Sequence, residues 1–192
     1  MSFKSLPKDV TGRIEIYRFC TFYRLTSCMY ASGLTGTDLN HGLDEFLPIT
    51  VSDSEFGAAI RRCHDATRFE DVDALPTGEA AKAAHREWKK KLVLWKRKAL
   101  EMTGCKNLEE LYEDARYSSS RRTKDVYAFF NSRLSKSTEF SDISDYFPDY
   151  REFIVEQPAS DEMLGHAARA ALDAGVRNAQ RPPKRVMYHV RD

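Results

Sequence analysis

The hydrophobic period of this chain switches from helical to alternating near residue 115, and that switch constrains the fold more than any other feature. From about Glu79 to Thr103, Trp88, Leu92, Trp95, Ala99 and Met102 return on one face of a helix, and Gly104 follows as a C-cap. Then RYSSS and DVYAFFNS, separated by RRTK, alternate: Val126, Ala128 and Phe130 share one face, Tyr127 and Phe129 the other. That pattern reads as a β-hairpin. Long helices next to hairpins imply an α+β fold, with helices packed on a small, mostly antiparallel sheet. A length of 192 residues suits one domain, expected over 1–176, with a basic arm over 177–192.

The remaining elements are legible to different degrees. RIEIYRFCTFYRL, residues 13–25, carries β-branched and aromatic residues on both alternating faces and reads as one long strand covered on both sides. GLTGTDLNHG, residues 33–42, reads as a loop. SDSEFGAAIRRCHDATRF, residues 52–69, opens with Ser52 and Glu55 at capping-box spacing and carries Phe56, Ile60, Cys63 and Thr67 at helical spacing, with Ala59 on the flank. At 100° per residue, Asp65 lies about 180° from Phe56 and His64 about 80°, which places the pair outside and at the edge of the buried stripe. A short helix follows Asn107 and buries Leu108, Leu111 and Tyr112. Residues 141–157 read as two helical or strand-like pieces around Pro148. A last helix, capped by Ser160, carries Asp161 and Glu162 in its first turn, buries Met163, Leu164, Ala167, Ala171 and Leu172, and stops at Gly175. No internal repeat is apparent.

Composition narrows the setting. No apolar run approaches the roughly 20 residues of a membrane span, and MSFKSLPKDV lacks the apolar centre of a signal peptide, so the expected address is the cytoplasm. Cys20, Cys28, Cys63 and Cys105 have no C-x-x-C spacing and read as reduced, partly buried thiols. The net charge of +1 hides segregation. Residues 38–79 hold ten acidic and three basic groups, and residues 139–162 hold eight and one. Residues 82–98 reverse this with eight basic groups and one acidic. Such blocks shape the potential a partner meets.

Candidate chemistry is sparse. His41, His64, Asp65 and Asp114 could be aligned as an HD-type metal phosphohydrolase, but a His-Asp pair on the outside of a helix reads more simply as scaffold. No G-x-S-x-G, phosphate-loop or H-E-x-x-H motif occurs. SSS at 118–120 reads as the polar half of the hairpin, and His85, His166 and His189 have no neighbours at ligand spacing. The expectation is a non-enzyme without a cofactor or metal. WKKKLVLWKRK could bind RNA, with its basic groups on phosphate and aromatics on bases. The wheel turns Trp88 and Trp95 inward and leaves Lys89, Lys90, Lys96 and Arg97 outside, which favours a solvated face. Acidic and aromatic residues interleave at Asp142, Asp145, Tyr146, Asp149, Tyr150 and Glu152. With Asp38, Asp44 and Glu45 of the polar loop they form the expected contact surface for a basic protein, such as a nuclease.

The order of these elements resembles a known family. A polar loop, then LPITVSDSEFGAAIRRCHDATRF with Ser54-Glu55-Phe56-Gly57 at the helix start, then a Trp-containing helix ending EMTGCKNLEELYEDAR, then YSSSRRTKDVYAFFN, is similar to immunity proteins of bacterial contact-dependent growth inhibition (CDI) systems. The turn Gly104-Cys105-Lys106-Asn107-Leu108 adds to the likeness, which covers roughly residues 14–145. The resemblance implies a cytoplasmic, non-enzymatic protein. Its partner would be the toxic C-terminal domain of a cognate effector, not nucleic acid or membrane. It transfers no contact residues.

Overall fold

The structure is a computed structural model that describes residues 9–31, 34–71, 73, 75–136, 139–142 and 151–177 of the chain. Its sheet is built on β1 (Gly12–Arg18) and β2 (Phe22–Ala31), followed by β3 (Leu34–Thr37), β4 (Asp44–Pro48), α1 (Asp53–Asp65) and β5 (Arg68–Glu70). Next come α2 (Gly78–Thr103), α3 (Leu108–Glu113), β6 (Arg116–Arg122), β7 (Val126–Lys136), β8 (Glu139–Asp142), β9 (Glu152–Glu156), α4 (Asp161–Asp173) and β10 (Val176–Arg177). The central order is β10-β7-β6-β1-β2-β3, with β4 and β5 on β2 and β8 and β9 on β7. Pairing is antiparallel except β10 with β7 and β5 with β2. The fold is thus α+β, as the period switch requires.

Two cores occupy the two faces. Ile14, Ile16, Tyr23, Leu25, Tyr127, Phe129 and Val155 meet α1 and α4 on one side. On the other, Phe19, Phe22 and Ala115 close around Trp95 and Ala99 of α2 and Leu111 of α3. Both faces of the central strands are therefore covered, which explains two departures from expectation. Residues 13–25 form two strands, not one: the chain reverses where Phe19 N donates to Phe22 O at 2.8 Å. That turn carries Cys20 and Thr21 in place of Gly or Pro, and burial of Phe19 and Phe22, whose ring centroids are 4.8 Å apart, takes the place of turn chemistry. Likewise Ser118, Ser119 and Ser120 are fully buried and not a polar outer half. Ser118 Oγ donates to Phe130 O at 2.9 Å, satisfying its hydroxyl within the sheet.

Other expectations change at the margins. Four of the ten residues of the supposed loop at 33–42 form β3, drawn into pairing along β2, with Thr35 opposite Tyr30. The pieces read around Pro148 include a strand, β9, in register with β7. Met163 is exposed on α4, and α2 buries fully only Trp95 and Ala99 of its expected stripe. Trp88 and Leu92 are half-buried and Met102 is exposed, and α2 packs against α3. Gly104 does close α2 in the left-handed region, at φ 73°. All four cysteines are free, with Cys28 and Cys63 buried.

The helix layer on the first face rests on an internal repeat that sequence reading missed. Ser52-Asp53-x-x-x-Gly57-x-x-x-Arg61 in α1 returns as Ser160-Asp161-x-x-x-Gly165-x-x-x-Arg169 in α4. Both serines cap their helices. The helices cross where the glycines meet. A Cβ on Gly57 would lie 1.7 Å from Asp161 O, and one on Gly165 would lie 2.1 Å from Asp53 O. Each arginine then reaches the first-turn aspartate of the other helix. Arg61 Nε donates to Asp161 Oδ1 at 2.9 Å, and Arg169 Nε to Asp53 Oδ1 at 2.5 Å. The carboxylates sit at positive helix ends, and Arg169 also binds Tyr23 OH and Val51 O. The match spans only three residues besides the caps, too few to stand out before the crossing is seen.

Candidate binding surface

His64 and Asp65 belong to the scaffold, although not as the wheel implied. His64 is fully buried, since α1 is covered by the sheet on one side and by α4 on another, and its covered arc is wider than a single stripe. Its Nε2 is 3.0 Å from Ser120 Oγ, and its ring meets Tyr127 edge-on at 5.3 Å. Burial, helped by the charges of Arg122 and Arg61, lowers its pKa to about 3, so the imidazole is neutral. Asp65 is exposed and pairs with Arg122. His41 lies on an exposed turn and Asp114 at the C-terminal cap of α3. The four residues of the metal-hydrolase alignment are therefore not brought together, and the described residues contain no group of three or more His, Cys, Asp or Glu placed to hold a metal.

The acidic turn before β4 is built from within. Asp38 is only 7% exposed. Its carboxylate accepts from His41 N at 3.1 Å and from Arg68 Nη1 at 3.0 Å, and its carbonyl accepts from Gly42 N at 2.9 Å. It thus shapes the turn, and its burial removes it from the expected contact surface. Asp44 takes a bidentate bond from Arg24, at 2.7 and 3.1 Å, and the Arg24 guanidinium stacks 4.2 Å over the Trp95 ring. Glu45 is held in the same way by Arg62 of α1, at 3.0 and 2.7 Å. Asp44 and Glu45 therefore reach the surface already paired, which weakens the negative field that the sequence block promised.

The second acidic cluster is covered in part. Glu152 is exposed on β9, opposite Phe130, and Asp142 ends β8 opposite Ser132. Asp145, Tyr146, Asp149 and Tyr150 lie outside the described residues. Next to Glu152 in space, Ile154 stands exposed on the same strand.

The basic helix is attached to the acidic turn. Asn40 Nδ2 donates to Ala84 O at 3.2 Å, and Lys91 Nζ donates to Asn40 O at 3.0 Å. Lys98 Nζ sits 3.9 Å over the Phe46 ring of β4. Away from these bonds, Arg86, Lys89, Lys90 and Arg97 are exposed and Lys96 is half-buried. Between them Val93 and Leu94 stand 56% and 59% exposed. Sequence reading found the charge of this face but not its apolar centre, because LVLW reads as core, whereas only Trp95 of the four is buried and Val93 and Leu94 lie on the outward side of the helix.

Comparisons with known proteins bear on this arrangement. A family model described as CDI immunity protein matches residues 12–175. The chain belongs to the CDI immunity protein family. The match reaches past the 14–145 resemblance and takes in α4, the second half of the glycine crossing. No curated protein matches this immunity protein. Its fold is similar to a protein of unknown function from Neisseria meningitidis, with 14% identity and a TM-score of 0.70 over 92% of this chain and all of that one. It is also similar to a chain of the CdiA-CT/CdiI toxin and immunity complex from Yersinia pseudotuberculosis, with 16% identity and a TM-score of 0.66 over 88% of this chain and all of that one. Among the described residues no helix is long and apolar enough to cross a membrane.

Proposed function

We propose that this immunity protein acts in the cytoplasm by binding the toxic C-terminal domain of a cognate CDI effector, a nuclease, and blocking it without catalysis of its own. The observation that carries the reading is the family match across residues 12–175, joined by a shared fold with a chain of a toxin and immunity complex. Neutralisation by occlusion asks for a rigid scaffold and a charged, partly apolar surface, and both are present here. The reading places the toxin on Asp44, Glu45 and Glu152 and on the stretch through Asp142, Asp145, Tyr146, Asp149 and Tyr150.

Co-expression with the toxic C-terminal domain of a cognate CDI effector tests the reading. Growth rescue together with co-purification supports it, and neither rescue nor binding overturns it. Charge reversal at Asp145 and Asp149 is expected to weaken binding about tenfold with the melting temperature held; unchanged affinity removes that stretch from the interface.

A further inference from the structure

The helix α2 is long for the packing it makes. Of 26 residues only Trp95 and Ala99 are fully buried, both in its last third. No residue of its first two turns is buried, and there Ala84 O accepts from Asn40 Nδ2; a helix so weakly covered gains little from tertiary packing. Its outer face nevertheless has an organised composition. Arg86, Lys90, Val93 and Arg97 lie within about 40° of the direction opposite Trp95. Two exposed apolar side chains ringed by cations have the anatomy of an interface centre and its rim. No aromatic residue stands on this face, since Trp88 and Trp95 turn toward the body, so it lacks the stacking groups that single-stranded nucleic acid uses.

We propose that this outer face of α2 is a docking surface for an acidic, apolar-centred patch on the cognate toxin domain. Charge complementarity selects that partner chemistry: the face carries Arg86, Lys89, Lys90 and Arg97, of which only Lys90 has an ion-pair partner among the described residues, Glu87 at 3.3 Å. The acids of the neighbouring turn are by contrast paired internally, Asp44 with Arg24 and Glu45 with Arg62. The acidic turn is thus largely neutralised from within, while the outer face of α2 beside it keeps most of its positive charge unpaired among the described residues. A nuclease needs a basic cleft for its substrate, and the acidic patch would lie beside that cleft. The bonds from Asn40 to α2 keep the helix and the turn in one fixed relation, so that a single toxin domain can engage both. The proposal rests on the immunity reading and adds a second contact of opposite sign.

The test uses the whole chain and the cognate toxin domain identified by growth rescue, with association and dissociation rates followed across a salt series. The combined change Arg86→Glu, Lys90→Glu and Arg97→Glu is expected to slow association about tenfold or more at low salt and to flatten its salt dependence. Val93→Ser with Leu94→Ser is expected to speed dissociation by about tenfold. Circular dichroism and melting temperature check folding, and the neutral set Arg86→Gln, Lys90→Gln and Arg97→Gln gives a milder version should the reversal disturb the helix. Wild-type rates in all variants overturn the proposal. So does a result in which the same variants lose binding to an RNA duplex while toxin association is unmoved. A wild-type protein that neither binds the toxin nor rescues growth defeats the immunity reading itself, an outcome that the comparison of variants does not imitate.

Discussion

The two faces of one sheet carry helices of opposite character. On one, α1 and α4 touch backbone to backbone through Gly57 and Gly165, and each arginine of the repeated pattern binds the other helix's first-turn aspartate. On the other, α2 is anchored by Trp95, Ala99 and a pair of bonds through Asn40, and presents cations and two apolar side chains outward. The first arrangement stores stability in close approach and satisfied polar groups. The second stores little and leaves its chemistry exposed. A protein whose task is to present a surface can keep these duties apart, so that its contact face is free to vary while the crossing is not.

The strongest way to break this contrast is at the crossing. Gly57→Ala or Gly165→Ala puts a methyl group within 2.1 Å of a backbone carbonyl oxygen of the other helix. Neither backbone can move aside without separating the helices and loosening both arginine clusters. Each substitution is expected to destabilise by about 3 kcal/mol, a fall of roughly 10 °C in melting temperature. A thermal melt of either variant within a degree or two of wild type would mean that the helices are not locked where they cross.

How much of this contrast the sequence discloses follows from what each region depends on. The capping box at Ser52 and Glu55, the Asn107 and Ser160 caps and the left-handed Gly104 are local chemistry, and all four form as read. Alternation likewise gives the β6–β7 hairpin, because one neighbour's register is enough to define it. What fails is whatever depends on a second covering layer. Ser118 to Ser120 look solvent-facing and His64 looks like the edge of a stripe until the covering layers close over them, and the Phe19–Phe22 reversal looks like strand because its turn is held by a distant tryptophan helix. For the surface, sequence finds charge but not its pairing. Asp38, Asp44 and Glu45 read as free acids, and their partners Arg68, Arg24 and Arg62 come together with them only in the fold.

A smaller effect tests the same packed face through pH. His64 has a folded pKa lowered to about 3, with burial the main cause, among Ser120, the Tyr127 ring and the charges of Arg122 and Arg61. Because that value lies below the unfolded one near 6.5, the unfolded chain takes up the proton first. The contribution of His64 is complete above about pH 6.5 and is lost as pH falls toward 3, on the order of 2 kcal/mol by pH 5. Denaturant unfolding of wild type and His64→Gln over this range separates the histidine from the carboxylates common to both. The variant is expected to be less stable at neutral pH and to show a shallower decline below pH 6.5. Parallel curves would place the imidazole in contact with water and contradict its burial.

The smallest expected effect lies on the open face and sharpens the contrast from the other side. Val93→Ala and Leu94→Ala remove apolar surface that is already 56% and 59% exposed, while alanine is the better helix former. The two terms oppose each other, and the double variant is expected to stay within about 0.5 kcal/mol of wild type. A stabilisation of that size would follow from helix propensity alone. A loss of 2 kcal/mol or more would instead show that these side chains are covered in the free protein, and α2 would then be a buried strut of the fold. Near-neutral stability combined with weakened toxin binding is the joint result that assigns Val93 and Leu94 to a partner, since only contacts absent from the free protein can change affinity without changing folding.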